Sequence, residues 1–249
     1  MEWEGIRRQG KRLFVWLVAA AIVALVVGIV YFGTPLHGTP ASIAAVEENP
    51  DVTVGQRGGA YVLEPATGEP SAGLVFYPGG RVHPNAYLAS LAPLAAEADV
   101  QVIVPKMPLN LAVLDQGAAS EYVSEAGIDS WYVGGHSLGG AMACRYAHAN
   151  TDAVDGLILY ASYCDRDVSA SGLAVLSVTG SADTVLNWNA YERNLDKLPR
   201  DATVRELPLN HSQFGSYRGQ RGDDPSDLSY AVAHDRLADA TLSWLRSGQ

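Results

Sequence analysis

Apolar residues are arranged along this chain in two ways, and the change of pattern divides it. Residues 13–33 run 21 positions without a charge and with no polar stripe at helical spacing. At about 1.5 Å rise per residue, such a helix is long enough to cross a bilayer's hydrocarbon core. Beyond residue 60, short Val/Ile/Leu-rich runs alternate with segments of helical period. Strands are expected at 60–64, 72–77, 100–104, 131–134, 154–162, 173–179 and 202–207, and helices over 85–98, 115–126, 187–198 and 227–245. Between the two parts, the proline- and glycine-rich segment 34–58 reads as a linker with one short strand at 52–56. Continuous apolar strands alternating with helices predict a mostly parallel sheet covered on both faces. Ligands of such sheets bind beyond the carboxyl ends of the strands.

The expected organisation is therefore a basic N-terminus at 1–12, a transmembrane segment at 13–33, a linker at 34–58 and an α/β domain at 59–249. Arg7, Arg8, Lys11 and Arg12 precede the apolar segment and no such cluster follows it, which orients the N-terminus to the cytoplasm and the domain outside. Trp16 near one end, and Tyr31 and Phe32 near the other, suit interfacial anchors. The segment exceeds the usual 7–15-residue core of a cleaved signal peptide. The small-x-small triplet Ser42-Ile43-Ala44 lies well past it, so a retained signal anchor is expected. A core helix would carry a polar stripe.

Charge divides at the same place. Residues 1–12 hold four basic and two acidic side chains, so of the total 17 basic and 27 acidic the remainder keeps 13 and 25. An acidic domain argues against nucleic acid as a partner. Cys144 and Cys164 are read as two buried thiols rather than a disulfide. No cofactor is implied, and no histidine–carboxylate cluster has the spacing of a metal site.

The candidate chemistry centres on Trp131-Tyr132-Val133-Gly134-Gly135-His136-Ser137-Leu138-Gly139-Gly140. A strand runs into Gly-x-Ser-x-Gly, and a small-residue helix follows through Ala141, Ala143 and Ala147. In that context the pentapeptide is a nucleophile elbow: a strained turn lifts the serine hydroxyl clear of the sheet, and only glycine fits the crowded positions beside it. Asp183 and His211 each follow a later strand, in the order Ser…Asp…His. A serine needs a base to take its proton as it attacks. His211 is the expected base, with Asp183 holding its other ring nitrogen. The developing oxyanion would be held by the Leu138 amide and one in the loop after strand 72–77, with Gly80 preferred and Arg81 next.

Other residues are given plainer roles. His136 is expected to pack inward from the elbow. His83 is a solvated loop residue or a substrate contact, and His37, His148 and His234 are read as surface residues. Asp165 is the alternative acid, and Asp152, Asp155 and Asp167 are turn residues. Leu109, Leu111, Val113 and Leu114 supply either an apolar wall to the site or core packing.

With these residues in view, the chain resembles members of the α/β-hydrolase superfamily, in the compact branch of dienelactone-hydrolase-like and small esterase domains. The resemblance covers roughly residues 60–247, and Gly135-His136-Ser137-Leu138-Gly139-Gly140 is its most specific part. It implies an eight-strand type of sheet and cleavage of an ester or similar acyl bond through an acyl-enzyme, with Ser137 as nucleophile, Asp183 as acid and His211 as base. The usual His-Gly of the oxyanion loop is Pro78-Gly79 here. Dienelactone hydrolases carry cysteine where this chain has Ser137, so their substrate does not transfer. Lids of the superfamily commonly follow the strand that here ends near Ser162, and residues 163–172 are too few for a helical cap. An open site suited to short acyl esters is expected. Thioesterase, lipase or acyltransferase action on the same triad, or a non-catalytic binding module on the same fold, are the alternatives. The sequence leaves the oligomeric state open.

Overall fold

The computed structural model describes residues 2–124 and 127–247. An N-terminal helix, α1 (Glu2–Gly33), is followed by α2 (Pro40–Glu47) and the strands β1 (Val52–Arg57), β2 (Ala60–Pro65) and β3 (Ala72–Tyr77). Then come α3 (Leu88–Ala98), β4 (Val100–Val104), β5 (Ser130–His136), α4 (Leu138–Ala149), β6 (Gly156–Tyr160), β7 (Ala174–Gly180), α5 (Trp188–Asn194), β8 (Thr203–Leu207) and α6 (Tyr230–Ser247). The eight strands form one sheet in the order β1-β2-β4-β3-β5-β6-β7-β8. Strands β3 to β8 pair in parallel, while β1 and β2 form an antiparallel edge.

The central strands are apolar throughout because both their faces are covered. On β3, Leu74 and Phe76 face the core beneath α3 and α6, whereas Val75 and Tyr77 face the one beneath α4. The alternation follows from the two-residue period of a strand. Helix α6 buries Ala233, Leu237, Ala238, Thr241, Leu242 and Leu245 along one side, a stripe at helical spacing.

Four expectations change, the last of them at His234. The helix expected over 115–126 is replaced by a 3-10 turn at Ala118–Glu121, and positions 125 and 126 lie outside the described residues. The backbone there is satisfied from the side: the Tyr77 hydroxyl accepts from the Ala119 amide and donates to the Gln116 carbonyl, both at 2.9 Å. Second, 34–58 is built into the fold rather than strung beside it. Helix α2, capped by Thr39, packs on α3, and Leu36 and Gly38 bridge to Val82 and Tyr217. Third, Cys144 and Cys164 form a disulfide, not two thiols, with Cα atoms 5.3 Å apart. Parallel pairing of β5 with β6 brings α4 beside the loop after β6, so residues 20 apart in sequence meet. The same loop is held by Arg145, whose guanidinium donates to Asp165 at 2.6 Å. Among the described residues, no helix lies between β6 and β7, the place considered for a cap.

His234, read as a surface residue, is buried on the inner side of α6, and its Nε2 donates to the Gly215 carbonyl at 2.8 Å. Within α1, Gln9–Gly33 is long and apolar enough to cross a membrane, and none of that window is buried against the rest of the chain.

The disulfide closes a loop of 20 residues. Replacing both Cys144 and Cys164 by Ala should lower unfolding stability by about 2–4 kcal/mol. Chemical denaturation of oxidised protein and double variant, compared side by side, measures this.

Candidate active site

The elbow is a single residue. The chain leaves β5 at His136 and enters α4 at Leu138, with Ser137 between them at φ 53° and ψ −122°. A non-glycine residue in that conformation is strained, and it persists only where its surroundings over-determine it. Here the Ser137 amide donates to the Tyr160 carbonyl at 2.9 Å, and the Ser137 carbonyl accepts from the Ala141 amide at 3.2 Å and from the Ser162 hydroxyl at 2.7 Å. The flanking glycines are sterically required. A Cβ on Gly139 would stand 2.1 Å from the Tyr77 carbonyl oxygen, and one on Gly135 would stand 2.5 Å from Gly139 itself. The serine is left half-buried, at the carboxyl end of the sheet.

Asp183 and His211 are brought together by the neighbouring strands β7 and β8. After the strands end, the two loops remain joined: the Ser181 amide donates to the Leu207 carbonyl at 2.8 Å and the Ala182 amide to Leu209 at 3.1 Å. A Cβ at Gly180 would lie 2.2 Å from the Leu209 oxygen, so the loops meet only because that residue is glycine. Asp183 Oδ2 then accepts from His211 Nδ1 at 2.7 Å, with the aspartate side chain fully buried and the histidine nearly so. Asp183 Oδ1 accepts the Val185 and Leu186 amides, each at 2.8 Å, so the carboxylate cannot swing away. With Nδ1 as the donor to Asp183, the neutral tautomer of the ring has its lone pair on Nε2, as a base requires.

The His211 ring lies 4.4 Å, centroid to centroid, from that of His136, the residue before the serine. Among the described residues, the Ser137 hydroxyl and His211 Nε2 make no hydrogen bond. In unliganded enzymes this contact is commonly long and tightens when substrate is bound.

His136 itself packs inward, as expected. The buried Tyr87 hydroxyl accepts from the Gly79 amide at 2.9 Å and donates to His136 Nδ1 at 3.0 Å. Burial, with His211 beside it, holds the His136 pKa well below its ordinary 6.5, so the ring is neutral. The same hydroxyl decides which amides of the next loop are free. Gly79 is bonded to Tyr87, and the Arg81 amide donates to the Asn110 carbonyl at 2.8 Å. The Gly80 amide between them has no acceptor among the described residues. A Cβ on Gly80 would lie 3.4 Å from a Leu138 side-chain carbon, so the two residues are neighbours. Leu138 is the first residue of α4, where an amide has no partner within the helix.

Asp165, the alternative acid, is turned away. The Arg145 guanidinium beside it holds its carboxyl below the usual range and occupies both oxygens. His83 caps the 3-10 turn at Pro84–Tyr87, and its ring lies tilted against that of His37, 4.4 Å between centroids.

Sequence reasoning missed Asp223. Its two oxygens accept the His211 and Ser212 amides, each at 2.9 Å, and the Ser212 hydroxyl bonds to it as well. It lies 12 residues away in an irregular loop, and no local pattern marks it. Asn210 and Gln213 were legible in principle: they form a reciprocal capping box that fixes the turn carrying His211.

Residues 73–234 match the sequence profile of the alpha/beta hydrolase family. This chain belongs to that family. Among solved structures, it is similar to the crystal structure of a predicted CIB-like hydrolase from Thermoplasma acidophilum, at 14% identity and a TM-score of 0.58. The match covers 79% of this chain and 99% of that one, and it shows the shared fold. No curated protein matches the chain. Family membership makes this protein a hydrolase by kinship, and the α/β-hydrolase sheet described above is the fold it shares.

Two outcomes follow from this polar network. Asp223→Ala leaves the His211 and Ser212 amides without their acceptor, and should reduce stability by about 2–3 kcal/mol. Thermal and denaturant unfolding of the variant measure it. The His136 and His234 pKa values both lie below their ordinary 6.5, mainly through burial, so their stabilising contribution is present above that value and is lost as pH falls below it. The unfolding midpoint should drop between pH 6.5 and 5, and less steeply in His234→Gln.

Proposed function

We propose that this hydrolase cleaves carboxylic esters through a serine acyl-enzyme, with Ser137 as nucleophile, His211 as general base and Asp183 as its orienting acid. The observation that carries the reading is the buried 2.7 Å bond from His211 Nδ1 to Asp183, which leaves Nε2 as the unpaired ring nitrogen on a ring 4.4 Å from that of His136, the residue before the strained serine.

In the proposed reaction, Ser137 Oγ adds to the substrate carbonyl as His211 Nε2 takes its proton. The negative charge on the carbonyl oxygen is met by the free amides of Leu138 and Gly80, which need no reorganisation to receive it. His211 returns the proton to the departing alcohol, leaving an acyl-serine. A water then repeats the sequence, giving up its proton to His211 and releasing the acid. Asp183 steadies the imidazolium at both stages without itself accepting the proton. Thioesters and acyl transfer would use the same parts, since the triad does not record the leaving group.

We also propose that α1 is a retained anchor with the domain outside the cytoplasm. The disulfide between Cys144 and Cys164 supports that side, because such bonds persist in oxidising compartments. External protease on intact cells should then digest the domain, and complete protection would place it in the cytoplasm.

A fluorophosphonate probe should label wild-type protein at Ser137 and fail to label Ser137→Ala. Turnover of p-nitrophenyl esters should fall by about 10⁴-fold or more in Ser137→Ala and by about 10⁴-fold in Asp183→Asn. Full activity in Ser137→Ala would point to another nucleophile, and no labelling of folded wild type would favour a binding module.

A further inference from the structure

The loops that frame the proposed oxyanion site also hold the end of the apolar helix. Arg81, next to Gly80, donates from Nε to the Tyr31 carbonyl at 2.9 Å and from Nη2 to the Thr34 carbonyl at 3.1 Å. Its guanidinium lies 3.6 Å from the centre of the Tyr31 ring. Asn110 donates from Nδ2 to the Phe32 carbonyl at 2.7 Å, while its own carbonyl accepts the Arg81 amide. The last carbonyls of a helix have no partner within it, so these two side chains cap α1 and tie it to the site. Both do so from left-handed backbone, at φ 62° for Arg81 and 56° for Asn110. Tyr31 and Phe32 stand where interfacial aromatics belong in a spanning helix, so this connection sets the depth of the site against a bilayer.

The loop that follows is apolar and uncovered. Leu111 lies against Gly80, its Cδ2 3.9 Å from where a Cβ would stand. Leu109, Val113 and Leu114 are 43%, 41% and 53% exposed. Outside α1, only Val204 and Val232 are comparable large exposed apolar side chains among the described residues, so these three form a local concentration beside the helix end.

We propose that this loop rests in the surface of the bilayer that α1 spans, and that the substrate is an amphiphilic ester resident in that membrane. The inference rests on the hydrolase reading above and names the substrate class of the same site. It also accounts for the missing cap. A soluble enzyme must enclose a long acyl chain in protein to keep it from water. Here the chain stays in the bilayer, and only the ester carbonyl has to reach Ser137. A site without a tunnel is then sufficient for a long-chain substrate. Because the domain outside α1 is acidic, the membrane contact is apolar rather than a search for anionic lipid.

The test uses the full-length protein reconstituted in phosphatidylcholine vesicles, with p-nitrophenyl palmitate in the bilayer and p-nitrophenyl butyrate in the water. Wild type should cleave both, and the double variant Leu109→Asp, Leu114→Asp should lower the palmitate-to-butyrate turnover ratio by about ten-fold or more. An unchanged ratio, or butyrate cleavage without palmitate cleavage, overturns the membrane substrate while leaving the hydrolase intact. Cleavage of neither ester, with no fluorophosphonate labelling, removes the hydrolase reading and this inference with it. A second readout needs neither activity nor the charged variant. Because both native cysteines are in the disulfide, Leu114→Cys can be labelled alone with an environment-sensitive dye. Nitroxide-bearing phosphatidylcholine should quench the dye at 114 and spare it at an exposed control, Val204→Cys. Equal quenching at the two positions overturns the proposal.

Discussion

The arrangement depends on how closely backbone approaches backbone beneath Ser137. A Cβ on Gly139 would stand 2.1 Å from the Tyr77 carbonyl, which puts the first turn of α4 hard against the end of β3. That contact forces the chain to turn from strand to helix within one residue, and the turn is what puts the serine at its strained positive φ. It also sets Leu138 beside Gly80, since Gly80 follows β3 by only a few residues. Nucleophile and proposed oxyanion donors are thus consequences of one steric condition. The cost of the strained turn is carried by three hydrogen bonds on Ser137 and by the packing of the sheet around them.

The second half of the site is assembled by polar groups rather than by close contact. Asp183 has its carboxylate fixed by two amides before it meets His211. Asp223 fixes the backbone of His211 from the other side, and Asn210 with Gln213 fixes the turn that carries it. A buried network of this kind is stable only when every member is satisfied, and then it holds its geometry tightly. Tyr87 extends the same logic to the first half. Its hydroxyl bonds both Gly79 and His136, so one side chain selects which loop amide stays free and keeps the inner histidine in place.

The N-terminal segment joins this plan instead of standing apart from it. Residues 34–58 contribute a capped helix and the edge strand of the sheet, and Arg81 and Asn110 bind the helix end to the loops around Gly80. With α1 as the anchor proposed above, this capping would hold the site at a set height over a membrane, which a loose tether would not.

What the residues by themselves determined was everything that depends on local period and local sterics. The apolar runs predicted the seven strands β2 to β8, six of them in the parallel part of the sheet, and the short one at 52–56; the central ones stood out because a strand buried on both faces must be apolar at every position. Gly135, Ser137 and Gly139 announced the elbow, and the places of Asp183 and His211 after later strands announced a pair that the fold brings to 2.7 Å. Pairing across the sheet was decided only in three dimensions. Cys144 met Cys164 because β5 lies beside β6, Tyr77 took over the backbone bonds that a helix near 118 would have made, and His234 was covered by a neighbouring loop. Asp223, Tyr87 and the Arg81 clamp on α1 belong to the same class. Each is a hydrogen bond between segments remote in sequence, and no periodicity in a chain records which distant carbonyl or amide will be left without a partner once the core has closed.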